Sequence, residues 1–381
     1  MRTWEVVVPE ASKPYRESAE SCGVMTAKHA RGSVTIAYLA VAGLLLLVIA
    51  SILVIAPLVV GDMGPLMQGL DEGVGQQLVP PTNGTTNAPP LLYSSSPLPA
   101  DYSTLANFTL QLINQDRATL GGLTPVTLNL RLAAQQHAYS MLVNGYLSHW
   151  DTQGLKPYMR YTIAGGQGYV AENVAFIRAI GGYHSTASVE DAVKRLEYEM
   201  VYNDAAHNNG HRDNILDQYH TGVSVGIAYD SDSVYLVQDF TNDYLNWTSP
   251  ITMSATGTIT LSGTLSGARG VSGDGVQMVQ VFFDQAPVQL NVSQLSASPY
   301  DGEYDQGTFI AGVVQPGYTV PVGTTVSATQ WDVTHAGISL TFSLGQVIRS
   351  HGPGCYTLYL AWQNSSGKQE LLTSYTIFVT S

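Results

Sequence analysis

Hydrophobic positions follow four different patterns along the 381 residues. Residues 34–60 are almost unbroken apolar, and this run exceeds the roughly 20 residues that cross a hydrocarbon core, so it predicts a transmembrane helix. A cleaved signal peptide has an apolar stretch of only about 7–15 residues, which makes residues 34–60 an uncleaved anchor. Residues 61–100 have no periodicity and are rich in Pro, Ser and Thr, the composition of an extended, solvated stalk.

Helical spacing takes over from residue 101. Leu105, Phe108, Leu112 and Ile113 predict a helix from about Ser103 to a stop at Gly121-Gly122. Leu132, Ala133, Gln136, Ala138 and Met141 predict a second over 129–144, ended by Gly145, and Ala192, Leu196, Glu199 and Met200 a third over 189–206. Alternating β-branched and aromatic residues predict strands at 223–229 and 234–240. Beyond residue 249 the period is two throughout, with runs at 258–263, 276–283, 309–314, 338–342, 356–362 and 375–379 and a hairpin turn at Asn364-Ser365-Ser366-Gly367. That spacing predicts an antiparallel all-β sandwich of immunoglobulin-like outline. The layout is a tail at 1–33, the span at 34–60, the stalk at 61–100, an α+β domain at 101–248 and the β domain at 249–381.

Charge sets the orientation and removes one class of partner. Arg2, Lys13, Arg16, Lys28 and Arg31 precede the span and the next basic residue is Arg117, so the N-terminus is predicted inside and both domains outside a cell membrane. A net charge of −13 with few Lys excludes a nucleic-acid partner, which needs clustered cations. Cys22 and Cys355 fall on opposite sides of the membrane and cannot pair. Five Asn-x-Ser/Thr triplets, at Asn83, Asn107, Asn246, Asn291 and Asn364, lie on the outer side and are open to glycosylation there.

The candidate chemistry lies between Ser148 and Leu216. Six short pieces occur in order: Leu112-Ile113-Asn114-Gln115-Asp116-Arg117, Leu132-Ala133-Ala134-Gln135-Gln136-His137-Ala138, Gly145-Tyr146-Leu147-Ser148-His149, Ala171-Glu172-Asn173, Gly210-His211-Arg212-Asp213-Asn214-Ile215-Leu216 and Val225-Gly226-Ile227. Together they resemble the CAP superfamily, the SCP-type domain of cysteine-rich secretory proteins, venom antigen five and plant pathogenesis-related proteins, in its prokaryotic secreted branch. The resemblance implies an α-β-α sandwich with a central polar cavity. It matches His149 and His211 to the family's two cavity histidines and Glu172 to its acid. Asp204 falls near a second acid position, where the expected Trp-x-x-Glu pattern is missing and Glu199 competes.

Each residue has two readings. Two neutral imidazoles and a carboxylate are ligands for Zn²⁺ or another divalent metal with an open position for water, in which case Glu172 is the catalytic base of a peptidase-like hydrolase. Alternatively, Glu172 is a tether taking backbone N–H bonds near Gly210, Asn173 a turn or cap residue and Arg212 a structural neighbour, with the histidines closing the cavity. His207 and His211 are four apart, but Asn208-Asn209-Gly210 between them is a turn, so chelation from one helix is not expected. His137 is read as either a partly buried packing residue or a cavity residue, and Gly165-Gly166-Gln167-Gly168 as a flexible loop by the cavity. Tyr300, Tyr304, Tyr318 and Trp331 are either core or an exposed binding patch. Three functions follow: a surface binding module for a metal, lipid or small extracellular ligand; a metal-assisted hydrolase; or a structural cell-envelope or adhesion protein.

Overall fold

The computed structural model describes residues 98–129, 132–178 and 185–380, with the pair 2–3. The expected tail, span and most of the stalk, with Cys22 and Asn83, lie outside them; among the described residues no helix is long and apolar enough to cross a membrane.

The first half is a four-stranded sheet with helices on both faces. Helix α1, Tyr102–Gly121, buries Leu105, Ala106, Ile113 and Arg117, and ends where Gly122 takes a positive φ and donates to the Ala118 carbonyl. Strand β1, Thr127–Leu128, comes next, and Asn129 N–H continues its pairing onto the Val223 carbonyl at 2.7 Å. Helix α2 therefore begins at Ala133 rather than 129, and runs to Asn144 with Gly145 left-handed behind it. A short helix α3, Pro157–Ile163, and strand β2, Tyr169–Arg178, were not anticipated. All seven residues of α3 are buried, so it shows no polar face, and the polar pair Glu172-Asn173 interrupts the apolar run of β2. Helix α4, Thr186–Tyr202, starts on a Ser185/Ser188 capping box. It stops four residues short of 206, where Asp204–His207 tightens into a 3₁₀ turn before helix α5, Gly210–Ile215.

Strands β3, Gly222–Tyr229, and β4, Ser233–Asn242, complete a sheet ordered β1-β3-β4-β2. Val223, Val225, Ile227, Val234, Leu236 and Phe240 face α1 and α4; Tyr235, Val237 and Ala228 face α2. β2 is thus an edge strand with different helices above and below it.

The second half has two sheets sharing one core. Ile259, Leu261, Ile338, Leu340 and Phe342 from one meet Val279, Val281, Val313, Tyr356, Leu358 and Leu360 from the other. All six expected strands are present, and Asn364 and Lys368 close the hairpin. Two differences from the expected all-antiparallel outline stand out. Thr324–Ser327 runs parallel to Thr308–Val314, because the intervening loop carries the chain back to the start of the strand it left. Leu245–Trp247 pairs with Thr258–Leu265, so pairing to the second half begins before residue 249.

The two halves are in polar contact. Lys156 forms ion pairs with Asp284, at 2.8 Å, and with Asp305, while Tyr158 OH donates to Asp284 at 2.7 Å. Leu290 and Leu295 join Met141, Tyr146 and Trp150 in one cluster. The Gly165–Gly168 segment, read as flexible, is held there too: Thr373 Oγ1 donates to the Gln167 carbonyl at 2.8 Å and Ser374 N–H to that of Gly168.

Candidate functional site

An edge strand explains how residues so far apart in sequence meet. The 145–149 turn reaches β2 from the α2 side, and the 204–216 segment reaches it from the α4 side. Arg117 fixes the latter from beneath, donating to the carbonyls of Ile215 at 2.7 Å and Asp217 at 2.8 Å.

Glu172, in β2, has no exposed side-chain surface, and both carboxylate oxygens are taken. Oε1 receives His149 Nδ1 at 2.9 Å, and Oε2 receives Arg160 Nη2 at 2.6 Å. Arg160, from α3, also donates to the carbonyls of His149 and Leu155, both at 2.7 Å. His137 is buried, with Nε2 on the Ser148 carbonyl at 2.8 Å and 3.9 Å from Glu172. Glu172 is a tether, but its partners are Arg160 and His149 rather than the amides near Gly210. Asp204 takes that role: its Oδ2 accepts Arg212 N–H at 3.1 Å and its Oδ1 receives His211 Nδ1 at 2.7 Å. Glu199 instead accepts from Asn203 on the surface.

Each of the two histidines therefore presents the same arrangement. Nδ1 is bonded to a buried carboxylate, and Nε2 has no hydrogen bond among the described residues. An imidazole whose Nδ1 donates keeps Nε2 as its lone-pair nitrogen. Burial pushes the His149 pKa down to about 3, reinforced by His211 and Arg160, so that ring is neutral across the physiological range. The two histidines meet at one stretch of β2, His149 bonded to Glu172 and the His211 carbonyl to the adjacent Asn173.

Electrostatics beneath the site are severe. Asp239 stands directly across from Glu172 in the sheet. Burial, and then the Glu172 charge, raise the Asp239 pKa well above the carboxylate range, and Glu172 is itself raised by burial against the pull of Arg160. Burial alone would lower the Arg160 pKa, but Glu172, Asp151 and Asp239 hold it above its usual value. One guanidinium thus serves a buried group of acids.

Asn173 is neither turn nor cap. It lies within β2, where its Nδ2 reaches the His211 carbonyl and Gln238 Oε1, both at 3.2 Å, while Oδ1 accepts from Asn214 at 2.9 Å. Arg212 Nη1 donates to the Val201 carbonyl at 2.5 Å, securing the end of α4. Gln238 continues to buried Glu197, whose pKa burial raises to about 8. The folded protein keeps a proton on Glu197 that the unfolded chain releases above about 4.5, so this group costs stability as pH rises from about 4.5 to 8. Glu197→Gln is expected to raise stability at pH 8 by roughly 1–3 kcal/mol relative to pH 4.5, checked by urea unfolding at both pH values.

Sequence reasoning missed Arg160 and did not connect Tyr304 to this site. Tyr304, expected in the core or in an exposed patch, comes from the second half. Its OH accepts Glu172 N–H at 3.3 Å and its ring lies 4.9 Å from that of His149. No sequence signal pointed to either, since one lies in a helix without a polar face and the other in an irregular loop. His207 and His211 do occupy separate helices, with Asn208 and Asn209 left-handed between them, yet their rings approach to 5.1 Å.

The donor set suits a borderline divalent ion in its nitrogen part, because a carboxylate behind each imidazole fixes the orientation of the ring. Among the described residues, no three His, Cys, Asp or Glu side chains already form a cage for an ion.

Residues 110–240 match the family model for CAP, the cysteine-rich secretory protein family. A search of curated proteins finds no match. Among solved structures, an extracellular protein containing an SCP domain from Bacillus anthracis str. Ames is similar at 23% identity, over 39% of this chain and 45% of that one, with a TM-score of 0.27. The CAP domain of Enterococcal PrgA is similar at 18% identity, over 38% of this chain and 63% of that one, also with a TM-score of 0.27. The chain covers less than two thirds of either.

Proposed function

We propose, from the match of residues 110–240 to the CAP family model, that the protein is a binding module displayed on the outer face of a membrane, whose His149/His211 pair holds a divalent ion of the Zn²⁺ type. The observation that carries this reading is the matched pair of carboxylate-backed imidazoles, His149 on Glu172 and His211 on Asp204, each with Nε2 left over. When bound, such an ion supplies an open, Lewis-acidic position for an anionic small ligand or water. Display outside the cell is supported by the apolar run at 34–60 and the basic residues confined to its N-terminal side.

Binding is favoured over hydrolysis by the condition of Glu172. A general base must reach the proton it removes, directly or through one water. Glu172 is wholly buried and spends one oxygen on Arg160 and the other on His149. Its work is to orient His149.

The test is Zn²⁺ titration by calorimetry on the full-length chain. One ion per chain is expected, with binding lost in the His149→Ala/His211→Ala double variant. Unchanged binding in that variant would remove the proposal.

A further inference from the structure

We propose that Glu303, contributed by the second half of the chain, is the carboxylate that completes the ion site of the His149/His211 pair. This rests on the reading above that the pair holds an ion, and it deepens that reading by giving the β-rich half a part in the site.

The segment around Glu303 is anchored beside His149 and Glu172. Ser148 Oγ donates to the Tyr300 carbonyl at 2.7 Å, Tyr304 OH accepts from Glu172 N–H at 3.3 Å, and Asp305 is ion-paired to Lys156. Glu303 lies inside this anchored stretch, next to the residue whose ring touches His149. One further observation brings its carboxylate toward the imidazoles. Glu303 Oε1 is 3.6 Å from the point where a Cβ on Gly210 would stand, beside His211.

The other acids of the site are committed. Glu172 is held by Arg160 and His149, and Asp204 by His211 Nδ1 and Arg212 N–H, and each sits at the Nδ1 edge of its imidazole, across the ring from the Nε2 that would meet an ion. Glu303 is exposed and has no hydrogen bond or ion pair among the described residues. A long, exposed side chain on an anchored backbone swings onto an ion at little cost. Two imidazole nitrogens and one carboxylate oxygen, with one position open, form an ordinary set for Zn²⁺ or Co²⁺ and a poor one for Ca²⁺ or Mg²⁺. The remaining contender is His207, whose ring lies 5.1 Å from that of His211.

The experiment measures Zn²⁺ affinity by chelator competition, and the visible spectrum of the Co²⁺ form, on the full-length chain and its Glu303→Gln, His207→Ala and His149→Ala/His211→Ala variants. Glu303→Gln is expected to weaken Zn²⁺ binding at least about tenfold and to alter the Co²⁺ bands, with the unfolding midpoint of the metal-free protein unchanged. Wild-type affinity in Glu303→Gln, with binding abolished in the double histidine variant, overturns this inference and leaves the proposed function standing. A loss in His207→Ala with none in Glu303→Gln gives the third position to His207 and overturns it as well. Wild-type affinity in the double histidine variant removes the ion reading itself, and the role of Glu303 with it.

Discussion

Arg160→Met is expected to destabilise the protein by about 3–5 kcal/mol at neutral pH, read from urea unfolding. The substitution keeps much of the aliphatic volume and removes the guanidinium facing Glu172, Asp151 and Asp239. Three hydrogen bonds go with it, to Glu172 Oε2 and to the carbonyls of His149 and Leu155. What remains is a pair of carboxyl groups facing each other across two strands with no compensating charge. The folded variant must hold protons there that the unfolded chain releases above its ordinary carboxylate pKa, so its deficit should be smallest near pH 4 and grow as pH rises. A loss below about 1 kcal/mol, or one independent of pH, would show that the acids under the cavity are not held by this guanidinium. Zn²⁺ affinity should fall too, because His149 loses the fixed carboxylate that orients it.

Gly226→Ala is expected to cost about 3 kcal/mol by the same measurement and to weaken ion binding although it lies away from the cavity. A Cβ at this position would stand 2.1 Å from the Ala134 carbonyl oxygen and 2.4 Å from its carbon, and backbone atoms cannot yield as the end of a side chain can. Helix α2 is pressed onto β3 there by the Gln135 side chain, which donates to the Ile227 carbonyl at 2.9 Å and accepts Ile227 N–H at 2.7 Å. Forcing the helix away breaks that reciprocal pair and moves the start of the turn that carries His149. Stability within 1 kcal/mol of the parent would mean that α2 can shift freely, and the coupling to the cavity would fail with it.

These two residues show where legibility ended. Val225-Gly226-Ile227 was legible as one of six ordered pieces, but nothing in the pattern says that glycine is needed because a helix backbone touches the strand. His149, His211 and Glu172 were legible through the same resemblance, and the structure brings them into one locality. Asp204 was separated from Glu199 only by geometry, since both lie close to the predicted helix end and only one faces His211. Arg160 was illegible because a seven-residue helix buried on every side has no periodicity. Tyr304 was illegible because its function comes from a neighbour 132 residues away in sequence.

By itself the amino-acid order determined the helices α1, α2 and α4, the strands β3 and β4 and the six strands of the second half, because amphipathic period and glycine stops are local properties that survive without knowledge of neighbours. It also determined which imidazoles and which acid to examine. Tertiary structure alone decided that the acid is sealed beneath an arginine, that β2 is the rim where two layers meet, and that a loop of the second half is seated on the cavity. Those outcomes depend on desolvation and on contacts between residues far apart in the chain, and neither quantity is written in any short stretch of it.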